Sequence, residues 1–107
     1  MAYRAVLIDD NKNTVLSLKY SIEWENLGIE LVGTAYDGRS GKKLIEKNDP
    51  DIIISDINMP YLDGFTMVEE SGKAEERIII VITGYDKFQY ASRAIKLAVF
   101  DYILKPN

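Results

Sequence analysis

Asp9 and Asp10, Asp56, Thr83 and Lys105 each close a short apolar run, and the runs lie far apart in the chain. Brought together, they offer three carboxylates, one hydroxyl and one ammonium. Crowded carboxylates repel one another. A divalent cation relieves that penalty, and Mg2+ prefers a few carboxylates together with waters and a phosphate oxygen. A carboxylate is also a nucleophile toward phosphorus, giving an aspartyl phosphate. Such a transfer needs mostly positioning and neutralisation of charge. Lys105 and Mg2+ would supply the positive charge, and Thr83 a hydrogen bond to the phosphoryl oxygens.

Each residue also has an ordinary explanation. A single Asp ahead of a helix is more often its cap, which would account for Asp9 or Asp10 alone. Thr83-Gly84 reads as turn chemistry and Lys105 as surface charge, while Asp37, Asp49 and Asp63 read as turn residues. Arg39, Lys42, Lys43 and Lys47 fit the wet face of a helix. Tyr85, Phe88, Tyr90, Phe100 and Tyr102 are more often core or interface than cofactor contacts. Chemistry is favoured because the polar residues occur together, each at the same end of its strand.

The elements that must position them alternate. Strands are expected at Ala5–Ile8, Glu30–Ala35, Ile52–Ile54, Ile78–Ile82 and Phe100–Leu104. Helices are expected at about Lys12 to Asn26, Ser40 to Lys47, Phe65 to Ser71 and Asp86 to Leu97, from apolar residues at helical spacing such as Val15, Leu18 and Ile22. Leu27-Gly28, Asp49-Pro50 and Gly72 punctuate them. Strands that are apolar at successive residues have both faces buried. Strands separated by helices of this length run parallel, joined by right-handed crossovers. The product is an open parallel α/β sheet with helices on both faces, and its ligands bind along the carboxyl ends of the strands where strand order reverses.

Composition narrows the chemistry. The chain has 107 residues, enough for one domain and too few for two, with 47% apolar and 28% charged residues. It has no Cys and no His, which excludes disulfides, thiol nucleophiles, Ser-His catalysis and the usual zinc sets. Any metal must then be a hard cation held by oxygen: Mg2+, Ca2+ or Mn2+. A formal net charge of -4 suits nucleic-acid binding poorly. No apolar stretch approaches a membrane span. Met1-Ala2-Tyr3-Arg4 lacks the regions of a signal peptide, so a cytoplasmic protein is expected.

The set Asp9-Asp10, Asp56 with Asn58-Met59-Pro60 and Asp63-Gly64, Thr83-Gly84 and Lys105-Pro106 resembles the receiver domains of two-component signalling. The likeness covers the whole chain in order and approximate spacing. Ser55-Asp56-Ile57-Asn58-Met59-Pro60 and Thr83-Gly84-Tyr85-Asp86-Lys87-Phe88 resemble one branch in particular, in which the receiver precedes an AraC-type DNA-binding domain, often in regulators of carbohydrate uptake. The resemblance implies a flavodoxin-like five-stranded sheet in the order 2-1-3-4-5. It implies Asp56 as phosphoacceptor for a sensor histidine kinase. Mg2+, with Mn2+ as a substitute, would be held by Asp10, Asp56 and the backbone carbonyl of Asn58, and through water by Asp9. Thr83 and Lys105 would contact the phosphoryl group, Thr83 and Tyr102 would form the switch, and Lys105-Pro106 would be a cis peptide. DNA would be reached only through an output domain outside this chain, with no membrane partner and with a homodimer as a further partner. A phosphoacceptor signalling domain rather than an enzyme is implied.

Three departures from the family pattern stand out. The chain stops at Asn107, ahead of the family's fifth helix, so residues 1–107 read as a C-terminally truncated receiver domain. A partly uncovered sheet that self-associates or is unstable is expected, with outward side chains drawn from Ile52–Ile54, Ile78–Ile82 and Tyr102–Leu104. The third helix is short. Gly41-Lys42 stands where a small residue and then an apolar one are common. The alternatives are a pseudo-receiver serving only as an interaction module, and a Mg2+-dependent phosphatase. The first would normally lack part of the acidic set or the lysine. The second usually carries a general acid two residues after its nucleophile, where this chain has Asn58.

Overall fold

The computed structural model describes residues 2–84, 93–94 and 100–104, with backbone alone at Tyr102 and Leu104. Five strands, β1 (Tyr3–Ile8), β2 (Ile29–Ala35), β3 (Ile52–Ser55), β4 (Ile78–Thr83) and β5 (Asp101–Leu104), form one sheet in the order β2-β1-β3-β4-β5. Every pairing is parallel. Helices α1 (Lys12–Ser21), α2 (Gly38–Asn48) and α3 (Gly64–Ser71) fill the crossovers. This is the expected flavodoxin-like architecture. Arg93 and Ala94 are helical, and the rest of the helix expected from Asp86 to Leu97 lies outside the described residues.

Alternation along each strand divides the core between the two faces. Val6, Ile8, Ile53, Ile79 and Val81 bury one face against Ile45 of α2 and Phe65, Met67 and Val68 of α3. Ala5, Leu7, Ile52, Ile54 and Ile82 bury the other against Val15 and Leu18 of α1 and Trp24. Ile52, Ile54 and Ile82 are therefore covered, contrary to the expectation of half-exposed side chains there. Of the side chains expected to be half-exposed, Ile103 of β5 is 45% exposed and Ile78 at the start of β4 is also open to solvent. Phe100 is 73% exposed and so is no core residue.

α1 ends at Ser21 rather than near Asn26. Ile22 turns extended (φ -88°, ψ 131°), and a separate 3-10 turn, Glu25–Leu27, follows. The Trp24 indole N–H donates to the carbonyl of Lys19 at 3.0 Å, satisfying a group that further helix would have used. Asp37 and Asp63 are the N-caps of α2 and α3, and Asp49 is the left-handed C-cap of α2.

Candidate functional site

β1 and β3 are neighbours, yet the chain leaves β1 for β2 on one side and returns to β3 on the other. Strand order reverses between them, which makes this the crevice where sheets of this class bind ligands. Asp9 follows β1 and Asp56 follows β3. Their backbones stay in the ladder, with Asp56 N–H donating to Ile8 O at 2.9 Å and Asp9 N–H to Ala35 O at 3.1 Å. Carboxylate oxygens of Asp9, Asp10 and Asp56 lie within 4.8 Å of one another. Asp9 and Asp56 are buried and Asp10 is exposed. At that spacing each ionised pair repels by about 3.5 kcal/mol at an effective dielectric constant of about 20. The three acids form an all-oxygen donor set that fits a hard divalent cation.

The helix-cap explanation of the acidic pair does not apply. Asn11 caps α1, its side chain accepting from the N–H groups of Asn13 at 2.9 Å and Thr14 at 3.4 Å. Asp9 accepts instead from Asn11 N–H at 2.9 Å, and one Asp56 oxygen from Ile57 N–H at 2.8 Å.

The loop from Ile57 to Asp63 is held at several points. Ile57 and Met59 are buried, while Asn58 and Tyr61 face solvent. Gly64 N–H donates to Ile57 O at 2.7 Å. A Cβ on Gly64 would lie 2.1 Å from the backbone oxygen of Asp56, so only glycine fits against the end of β3. The buried Ser55 hydroxyl donates to that same Asp56 oxygen at 2.7 Å. Sequence reasoning passed over Ser55 and Asn11. A hydroxyl beside Asp56 and an Asn just before the first helix were the available signals.

Thr83 is fully buried at the end of β4. The register Ser55↔Val81 sets Asp56 and Thr83 one and two residues beyond a paired position on adjacent strands. Tyr102 is paired with Val81 in β5, and its side chain lies outside the described residues, as do Lys105 and Pro106. The basic set lies on the solvent side of α2, as expected, with Lys42 only partly exposed. Lys42 pairs with Glu70 at 3.3 Å and the Arg39 guanidinium stands 4.9 Å from the Tyr61 ring, while Lys43 and Lys47 are exposed. No helix among the described residues is long and apolar enough to cross a membrane.

Comparison with known proteins agrees with this geometry. The family described as response regulator receiver domain matches residues 5–107. The transcriptional regulatory protein YesN of Bacillus subtilis is 34% identical over 105 residues, covering 97% of this chain and 28% of that protein. The transcriptional regulatory protein HptR of Staphylococcus aureus is 32% identical over 104 residues, covering 97% of this chain and 41% of that protein. The chain thus spans well under half the length of these relatives. Among solved structures, the REC domain of AraT, a response regulator from Geobacillus stearothermophilus, superposes with a TM-score of 0.89 at 35% identity, covering 100% of this chain and 84% of that one.

Proposed function

This chain belongs to the response regulator receiver domain family of two-component systems, and on that premise we propose that it accepts a phosphoryl group on Asp56 from a partner histidine kinase, with Mg2+ held beside it. The observation that carries this reading is the meeting of Asp9, Asp10 and Asp56 within 4.8 Å at the point where strand order reverses.

In the proposed step a carboxylate oxygen of Asp56 forms a bond to phosphorus as the P–N bond of a phosphohistidine breaks. The leaving imidazole nitrogen keeps the bonding pair and takes a proton from water. Asp10, Asp56 and the Asn58 carbonyl would hold Mg2+ (or Mn2+) directly, and Asp9 through water. When bound, the metal supplies positive charge beside the phosphoryl oxygens. Ile57 N–H, donating at 2.8 Å, fixes one oxygen of the Asp56 carboxylate and orients the group. Thr83 donates its hydroxyl to the phosphoryl group, and Lys105, next in sequence after the Thr83-paired Leu104, supplies the ammonium. Movement of Thr83 toward the new charge would reposition Tyr102, a two-state element biased by local electrostatics. Amide shifts at both residues on phosphorylation would read that motion.

On this reading residues 1–107 act as a cytoplasmic phosphoacceptor domain that passes its state to a DNA-binding output domain of AraC type. The two named relatives are transcriptional regulatory proteins much longer than the matched region, which supports an output that regulates transcription, its AraC type resting on the sequence resemblance alone. The test is intact mass after treatment with a small acyl phosphate, with and without Mg2+. One phosphoryl adduct is expected, dependent on Mg2+ and lost in Asp56→Asn. Labelling that persists in Asp56→Asn removes the assignment.

A further inference from the structure

We infer that Gly38, the first residue of α2, is a positioning residue for the loop that follows Asp56, and thereby sets how tightly the acidic cluster takes its divalent cation. This rests on reading Asp9, Asp10 and Asp56 as the cation site. The contact is between backbones. A Cβ on Gly38 would lie 1.8 Å from the carbonyl oxygen of Leu62 and 2.6 Å from its carbonyl carbon. A backbone carbonyl cannot swing aside as the end of a side chain can. Gly38 N–H also donates to Pro60 O at 3.4 Å, so the same residue grips the loop at two successive places.

The opposite end of the loop is fixed by Gly64, packed on the backbone oxygen of Asp56. Between these two grips the chain has little choice of path. Ile57 and Met59 point into the core and leave Asn58 on the exposed side, next to Asp56. Any side chain at position 38 must push Leu62 and Pro60 outward and draw Asn58 with them. One further contact competes for the role. The Arg39 guanidinium lies over the ring of Tyr61, whose backbone is left-handed at φ 72°.

The experiment is a Mg2+ titration of the whole chain, followed by the amide resonances of Asp10, Asp56 and Ile57, on Gly38→Ala and on Gly33→Ala. Gly33, in β2, is the matched control because a Cβ there meets Leu44 Cδ1 at 2.6 Å, the flexible end of an α2 side chain rather than backbone. Both variants are expected to lose some thermal stability. Only Gly38→Ala is expected to weaken Mg2+ binding, by about ten-fold or more, the range for groups that orient metal ligands. Mg2+ binding in Gly38→Ala as tight as in the unaltered chain overturns the inference. An unaltered chain that gives no Mg2+ response overturns the reading of the cation site and this inference with it. If Gly38→Ala does not fold, Tyr61→Gly decides. Glycine takes φ 72° without steric strain, and the substitution removes the Arg39 contact, leaving Gly38 in place. Retained Mg2+ affinity there supports positioning by Gly38, and a ten-fold loss assigns it to the Tyr61–Arg39 contact instead.

Discussion

Asp10 carries the least structural duty of the three clustered acids. Asp9 supports the turn into α1 and Asp56 the start of its loop, whereas Asp10 is exposed. Its negative charge nonetheless sits among the others, so in metal-free buffer it opposes folding. Asp10→Asn is expected to raise stability there by about 1 kcal/mol, the full Coulomb repulsion being reduced by solvent and salt. For a domain of this size that is a rise of roughly 4–8 °C in melting temperature. Mg2+ should stabilise the unaltered chain by mass action and do little for the variant. A thermal melt of both proteins with and without Mg2+ checks this, and equal Mg2+ responses would contradict it. The acids were legible in the sequence because parallel topology brings every strand's carboxyl end to one edge. The cap was not, because Asp9, Asp10 and Asn11 are all good caps by type and geometry alone chooses among them. Gly38 was not legible either, since its partner is the carbonyl of a loop distant in sequence.

Among the elements, strand identity was the most readable and helix ends the least. Runs such as Ile52–Ile54 and Ile78–Ile82 declare buried strands, but α1 stops at Ser21, where Ile22 turns extended and the Trp24 indole N–H, five residues on, takes the Lys19 carbonyl, a local cap that apolar spacing does not reveal. α3 is eight residues long, as its early Gly72 suggested, and depends correspondingly on its cap. Asp63 accepts from Thr66 N–H and from the Thr66 hydroxyl, each at 2.9 Å. It also faces Arg93 at 3.6 Å, which lies 3.5 Å from Glu69 as well. These pairs are partly exposed and should contribute little, whereas the cap is worth about 1–2 kcal/mol. Asp63→Ala is therefore expected to lower the unfolding free energy by that amount, read as a lower urea midpoint at constant m. Asp63→Asn, which keeps an acceptor and loses the charge, should cost well under half as much. Equal losses in the two variants would mean that the ion pairs and not the cap secure the helix.

At the scale of the molecule the two edges of the sheet have different duties. The carboxyl edge gathers like charges, and the opposite edge gathers a tie of opposite charges. There Asp51 N–H donates to Arg4 O at 2.8 Å and Arg4 N–H to the Asp51 carboxylate at 2.9 Å, joining β1 to the start of β3. Arg4 also bonds the Asn48 carbonyl at the end of α2. Arg77, its side chain 6% exposed, donates to Pro50 O at 2.6 Å and meets Asp49 at 3.0 Å. The sequence marked Asp49-Pro50 as a helix break but gave no hint of this tie, because Arg77 is delivered by the crossover into β4.

Asp49 makes the tie sensitive to acid. The Arg77 hydrogen bond, then the positive charges of Lys73 and Arg77, hold its carboxyl below the ordinary aspartate value. Asp51 and Glu76 line the same hollow. Because the folded-state value is depressed, the stabilisation is present in full above the unfolded value of about 3.9 and disappears as pH falls through the folded one. Asp49→Asn isolates the charge, since Asn tolerates the left-handed backbone at φ 46° as Asp does. The unaltered chain should therefore show the higher urea midpoint near neutral pH. The gap should stay constant down to about pH 5 and close progressively below about pH 4. Acidification protonates the Asp49 carboxylate, so the two proteins converge by the lower protein's midpoint staying put while the other falls toward it, apart from changes common to both. A gap that stays constant across the acid range would show that Arg77 is held by the Pro50 carbonyl and its own burial, with the Asp49 charge contributing nothing.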